Sequence, residues 1–331
     1  MSDAAGGGIS RRALLAGAGA ALVGAAACTR PEGEPGVIRV GLIASLSHAP
    51  MLAGLGSGRI AKAIAPLKLE ERVFRAGPRV VEALVGRAID FGVTGPAPLV
   101  VGYAHHGPER LRVTSGCASG GASLVTAPNV KIDSPEDLHG KAVAVTQLGS
   151  TQDVSLKTYL KAHGLAATTR GGDVTIHALA ASDVRAQMIK GRLDGAWLPE
   201  PWATRLVREI GAKRFVDERD LWPERRFATA LVVARCEMAR ARPEDAARFE
   251  AAFTEEVERA RTRAEESRQE AYDEIQRLTT NAGKREWFDE AWGEIEFTGD
   301  PLQGAVQRFA EDAAALGVIP RVECGGLFAR V

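Results

Sequence analysis

The chain has 331 residues, too many for one small core and about right for two lobes. Apolar residues make up 45% and charged residues 25%, an ordinary balance for a soluble globular protein. The formal net charge is zero, and no basic stripe or aromatic-basic interleaving is present, which argues against a nucleic-acid partner.

In chain order, the first signal is an export segment. Ser10-Arg11-Arg12 precedes an apolar, Ala/Gly-rich run from Ala13 to Ala27. The run is too short to span a bilayer comfortably, and it has the charged and apolar regions of a secretory signal. The paired arginines resemble a twin-arginine (Tat) signal. The run ends Ala25-Ala26-Ala27-Cys28, which looks like a bacterial lipobox. On that reading Cys28 is the first mature residue and carries lipid; the alternative is a soluble signal cleaved near Ala27. Thr29 to Gly36 is polar with two prolines and reads as a tether.

Val37 to Ile43 reads as a first strand, followed by a turn and a short helix from Ala49-Pro50. Leu67 to Phe74 is a second strand, and Gly77-Pro78 opens a helix with apolar Val80, Val81, Leu84 and Val85. Ala88 to Val93 is a buried third strand, and Gly95-Pro96 starts the next helix. Leu111 to Cys117 and Ala122 to Ala127 are strands separated by Gly120-Gly121. The same style repeats: a capped turn at Ser134, strands at 142–146, 173–178, 193–198 and 227–234, and helices opening at Gly149, Asp183 and Pro201. After Pro243 the pattern turns helical, with Phe249, Phe253, Val257, Ala260 and Ala264 on one predicted face.

Alternating strands and helices predict an α/β fold with mostly parallel sheets. Two sheets joined by crossing strands are expected near Leu124–Ala127 and Ala228–Ala234. The division implied is a signal at 1–28, a tether at 29–36, one lobe from 37–123 plus 228–331, and a second lobe at 124–227.

In open α/β sheets, ligands bind outside the carboxyl ends of the strands. Four helix starts are therefore candidates: Ser47-His48-Ala49-Pro50, Gly95-Pro96, Gly120-Gly121-Ala122 (if a helix follows), and Gly149 to Gln152, including Thr151. Helix N-termini leave N–H groups free and carry partial positive charge, which suits a sulfonate, nitrate or carboxylate. Trp197 and Trp202 flank Pro199-Glu200-Pro201, and either ring could wall a ligand or pack in the core. Glu200 is held at a strand-to-helix corner, where it could face an amino group on a zwitterion, cap its own helix or pair with Arg205. Cys117, Cys236 and Cys324 lack metal spacing and read mainly as small buried hydrophobes. No nucleophile elbow, Walker lysine motif, HExxH or CxxC is present, so no catalytic residue, cofactor or metal is expected.

An ordered series of segments carries a family resemblance. It comprises Ser47-His-Ala-Pro50, Arg75-Ala-Gly-Pro78, Gly86-Arg-Ala-Ile-Asp-Phe91, Gly95-Pro-Ala-Pro98, Ala118 to Val125, Ser134 to Lys141, Gln147 to Asp153 and Gly191 to Trp202. The series resembles the sulfonate, taurine and nitrate group of ABC-transporter substrate-binding proteins, from about Val37 to about Val233. The resemblance implies the two-lobed periplasmic-binding-protein fold (type II) and a monomer that closes around a small anionic or zwitterionic solute. Its implied partners are a permease with its ATPase; together with the lipobox-like Cys28, the expected location is the periplasm or the outer face of the cytoplasmic membrane, lipid-anchored. It also implies ligand contacts near Ser47, His48, Gly95, Pro96, Gly120, Gly121, Thr151, Gln152, Glu200 and Trp202. Gly56-Ser-Gly-Arg-Ile60 replaces a Gly-aromatic-aromatic segment that members often carry. A lipoprotein that presents its ligand to a membrane sensor is a second reading, and an enzyme on the same scaffold, similar to pyrimidine-synthesising proteins, a third.

Overall fold

The computed structural model describes residues 36–169, 172–279 and 282–329. The expected export segment, Cys28 and most of the tether lie outside these residues.

Among the described residues, twelve strands form two six-stranded sheets. The first sheet holds β1 (Val37–Leu42), β2 (Lys68–Val73), β3 (Phe91–Thr94), β4 (Leu111–Gly120), β11 (Ala228–Arg235) and β12 (Ile295–Phe297), in the order β12-β4-β11-β3-β1-β2. The second holds β5 (Ala122–Thr126), β6 (Lys141–Val145), β7 (Ala167–Thr168), β8 (Val174–Ala178), β9 (Gly195–Pro199) and β10 (Lys213–Asp217), in the order β10-β5-β9-β6-β8-β7. Parallel order holds among β1, β2 and β3 and among β6, β7, β8 and β9. The sheets are mixed, however, because the strands that carry the chain between lobes run antiparallel to their neighbours: β4 and β11 in the first sheet, β5 and β10 in the second. β2 is a charged edge, with Lys68, Glu70, Glu71 and Arg72 on an almost wholly exposed strand, a composition that discourages edge-to-edge pairing.

Helices cover both faces of each sheet. In chain order they are α1 (Ala49–Gly56), α2 (Arg59–Ala63), α3 (Gly77–Val85), α4 (Pro96–His106), α5 (Thr151–Ala162), α6 (Ala181–Ile189), α7 (Trp202–Ile210), α8 (Cys236–Ala241), α9 (Pro243–Thr262), α10 (Ala264–Thr279), α11 (Arg285–Trp292) and α12 (Gln303–Ala315). Each sheet accordingly has an apolar cluster on either side. Phe249 and Phe253 of α9 are buried as their spacing predicts, and Phe249 packs on Phe91 with ring centroids 4.2 Å apart. Truncating such a ring to Ala costs about 3–5 kcal/mol. The predicted face does not run on through Ala264. The backbone leaves helical geometry at Arg263, and Ala264 opens α10 instead.

The chain passes from the first sheet to the second through Gly120-Gly121, both at positive φ (79° and 73°). An added Cβ on Gly121 would lie 2.3 Å from Ile295 Cγ1. Glycine is therefore required there both by backbone conformation and by space. The return passage runs beside it: Thr229 Oγ1 donates to the Gly120 carbonyl at 2.5 Å, and Phe227 N–H to Ser119 Oγ at 3.3 Å. These two crossings are the covalent links between the sheets among the described residues.

Among those residues, no helix is long and apolar enough to cross a membrane. Cys117, Cys236 and Cys324 are free thiols and all buried.

Candidate functional site

Between the sheets lies a cleft of about 590 Å³. Its walls are the turns at the carboxyl ends of parallel strands. β1 leads into α1, β2 into α3 and β3 into α4 on one side; β6 into α5, β8 into α6 and β9 into α7 on the other. Six helix N-termini thus border one space. Local sequence explains several of these starts: proline stands in the first turn of α1, α3 and α4, where a missing N–H costs nothing. α5 begins at Ser150, whose hydroxyl accepts from Asp153 N–H at 3.3 Å, while Asp153 accepts from Gly149 N–H at 2.8 Å. A further wall comes from the α10–α11 region, with Ile275, Lys284, Trp287 and Phe288.

Ser47, His48, Gly95, Thr151, Gln152 and Trp202 line the cleft together. His48 is buried, and its Nδ1 accepts from Ile43 N–H at 3.2 Å. The proton of the neutral ring therefore sits on Nε2, leaving that nitrogen a donor. Burial drives the pKa of His48 down to about 3, so the ring is an uncharged donor at neutral pH. Thr151 Oγ1 accepts from Ala97 N–H at 3.4 Å, which joins the starts of α4 and α5 across the two lobes.

The other candidates lie elsewhere. Pro96 opens α4 but is not part of the cleft wall. A strand rather than a helix follows Gly120-Gly121, so that pair offers no helix N-terminus; it packs against Ile295 and Arg219. Trp197 is fully buried in the second lobe's core, where its Nε1–H donates to Glu218 at 2.8 Å. Glu200 is 1% exposed and does not line the cleft. It caps α7 by accepting from Thr204 N–H at 3.0 Å, and it pairs with Arg214 at 2.5 Å rather than with Arg205. Arg214 also donates to Thr204 Oγ1 at 2.7 Å and Ser123 Oγ at 2.8 Å, so the carboxylate is one member of a closed network tying α7, β10 and β5. Burial raises the pKa of Glu200, and Arg214 opposes that shift.

Sequence reasoning missed the cations. Arg75, Arg205 and Lys284 line the cleft, and no Asp or Glu does among the described residues. Arg205 stacks over Trp202 at 5.1 Å and pairs with Glu209; Lys284 sits 4.8 Å over Trp287; Arg75 has no ion pair among the described residues. Arg75 belongs to the Arg75-Ala-Gly-Pro78 segment and stands just before a helix start, a position that the sequence does mark. Lys284 and Trp287 come from the helical C-terminal part, where no strand-to-helix turn marks them. Among the described residues no cluster of three or more His, Cys, Asp or Glu could hold a metal.

Solved structures share this architecture. The alkanesulfonate-binding protein SsuA from Xanthomonas axonopodis pv. citri, bound to MOPS, superposes with a TM-score of 0.72 at 19% identity, covering 90% of this chain and 99% of that one. The periplasmic aliphatic sulphonate-binding protein SsuA from Escherichia coli gives 0.75 at 20% identity, covering 90% and 93%. The periplasmic nitrate-binding protein NrtA from Synechocystis PCC 6803 gives 0.67 at 18% identity, covering 86% and 82%. These likenesses establish the two-lobed periplasmic-binding-protein fold. No curated protein matches the chain. The NMT1-like family matches residues 32–276, well over half of the sequence, and the chain belongs to that family.

Proposed function

We propose that the protein is an exported solute-binding component of an ABC importer that captures a small organic anion, sulfonate-like in character, without turning it over. One observation carries the reading: six helix N-termini and three cationic side chains face a cleft whose described lining contains no carboxylate. A hydrogen bond to a charged group contributes about 1.5–3 kcal/mol, so three such bonds, less ordering costs, support micromolar affinity near −8 kcal/mol. Trp202, Trp287, Phe288 and Ile275 supply apolar surface for the carbon body. A volume of about 590 Å³ falls in the range of about 300–1,000 Å³ that suits organic ligands, and it is far larger than a bare inorganic anion needs. Glu200, engaged by Arg214 and Thr204, gives no support to a requirement for a zwitterion.

The same reading assigns residues 37–123 with 228–331 to one lobe and 124–227 to the other, with export through the Arg11-Arg12 signal and a lipid on Cys28. Cys28→Ala is expected to release the protein from membranes or block processing; a wild-type protein that is soluble and takes up no fatty-acid probe rejects the anchor. A thermal-shift screen of sulfonates, carboxylates, inorganic anions and organic cations tests the ligand class, since binding raises the apparent midpoint by mass action. Stabilisation by organic sulfonates or carboxylates is the expected result. Stabilisation by cations alone overturns the proposal.

A further inference from the structure

Beside the main cleft lies an open groove of about 510 Å³, which shares Ser182, Arg205, Lys284 and Trp287 with it. The two spaces are thus continuous along the faces of α6, α7 and α11. The groove is strongly cationic. Among the described residues, Arg185, Arg205, Arg208 and Lys284 line it against a single carboxylate, Glu209. That carboxylate is shared, because Arg185 and Arg205 both reach it at 2.6 Å. Arg208 is paired with Glu290 of α11 at 2.6 Å. Lys284 is exposed and its ammonium has no acidic partner among the described residues; it lies 4.8 Å over the face of Trp287. Four cations against two carboxylates leave an excess of about two positive charges where the cleft opens outward.

We infer that the ligand is a two-ended organic anion. One acidic group enters the inner cleft, the body lies along Trp202 and Trp287, and a second acidic group sits in the outer groove on Lys284 and the Arg185–Arg205 pair. This deepens the anion reading above and rests on it. Lys284 and Trp287 belong to the α10–α11 side, whereas Arg185 and Arg205 belong to α6 and α7 of the other lobe. The second group therefore bridges the lobes and adds to the drive for closure. A ligand with one acidic group leaves these like charges facing one another across the groove. Because the groove is open to water, its contribution is screened by salt.

The test compares benzenesulfonate with 1,3-benzenedisulfonate by calorimetric titration of the full chain at low and at high ionic strength. The disulfonate is expected to bind at least tenfold more tightly at low salt, with the preference shrinking at high salt. Lys284→Met is expected to weaken the disulfonate at least fivefold more than benzenesulfonate. Lys284 is exposed, so the variant retains the fold, which its melting midpoint verifies. If benzenesulfonate binds and the second sulfonate adds nothing, or if Lys284→Met weakens both equally, the outer groove is not a subsite and the anion reading of the cleft stands. If neither binds, the two-ended reading is overturned, while the anion reading of the cleft is decided separately by the thermal-shift screen.

Discussion

At the scale of single residues, two buried titratable groups oppose one another. His48 has its pKa lowered by burial from 6.5 to about 3. As pH falls below about 6.5 the unfolded chain takes up this proton first, so the stability it contributes is complete above that value and is lost on acidification towards pH 3. The limiting slope is about 1.4 kcal/mol per pH unit. Glu218 behaves the other way. Burial raises its carboxyl from 4.5 to about 7, against hydrogen bonds from Ser155 at 2.5 Å and Trp197 at 2.8 Å. The folded state holds this proton longer, so its contribution is complete below about pH 4.5 and is lost as pH rises through 7. Denaturant titrations across pH are expected to show His48→Gln flattening the acid limb and Glu218→Gln flattening the loss between about pH 4.5 and 7. Unaltered profiles would mean that neither group titrates differently on folding.

Glu200 supplies a second residue-scale prediction. Removing one partner of a buried ion pair leaves the other uncompensated, at about 3–5 kcal/mol; Arg214 is about a quarter exposed, which places Glu200→Gln near the low end. An aminoalkane sulfonate and its uncharged-tail analogue should then lose affinity equally. Selective loss of the zwitterion would put Glu200 at the ligand. The sequence located Glu200 at a strand-to-helix corner, but the direction of its side chain depends on Arg214, fourteen positions away on a strand that its residues did not announce. Ser47, His48, Gly95 and Thr151 were easier to place, because a helix start after a parallel strand has only one end of the sheet to occupy.

At the scale of elements, the crossing between sheets is the most constrained point. Gly121→Ala places a Cβ at positive φ and within 2.3 Å of Ile295. A cost of about 1–3 kcal/mol is expected from the strained backbone alone, with the clash added. A denaturation midpoint equal to that of wild type would show that the crossing is free to rearrange. The buried thiol of Cys117 donates to the Ser47 carbonyl at 3.3 Å, and burial raises its pKa strongly. It should resist alkylation in the native state and react on unfolding; rapid native labelling would contradict its packing beneath the first cleft turn. Elements were legible where periodicity was strong, as in α9. They were missed where it was weak: β7 has two residues and β12 three, and β10 reads Lys213 to Asp217 with charge at both ends. Such strands exist because a sheet neighbour completes them, which local pattern cannot reveal.

At the scale of the whole molecule, two lobes are joined by adjacent crossings and meet at α4–α5, α5–α12 and α7–α11, with Ala97–Thr151 and Arg208–Glu290 among the polar contacts. The interface is both polar and apolar: Lys161 Nζ donates to the Ala315 carbonyl at 3.0 Å, Arg219 pairs with Glu294 at 2.7 Å, and Val154 of α5 is buried in an apolar cluster of the first lobe. The exposed ion pairs contribute only about 0–1 kcal/mol each. A ligand that both lobes touch adds to these contacts and favours the closed arrangement. The unliganded protein is expected to open about its crossings and to shut when an anion fills the cleft. Small-angle scattering tests this most directly, with and without a saturating amount of the anion that stabilises the protein best. The radius of gyration is expected to fall on binding, and the ligand to be recovered unchanged. An unchanged radius with the cleft demonstrably occupied would contradict a hinged trap.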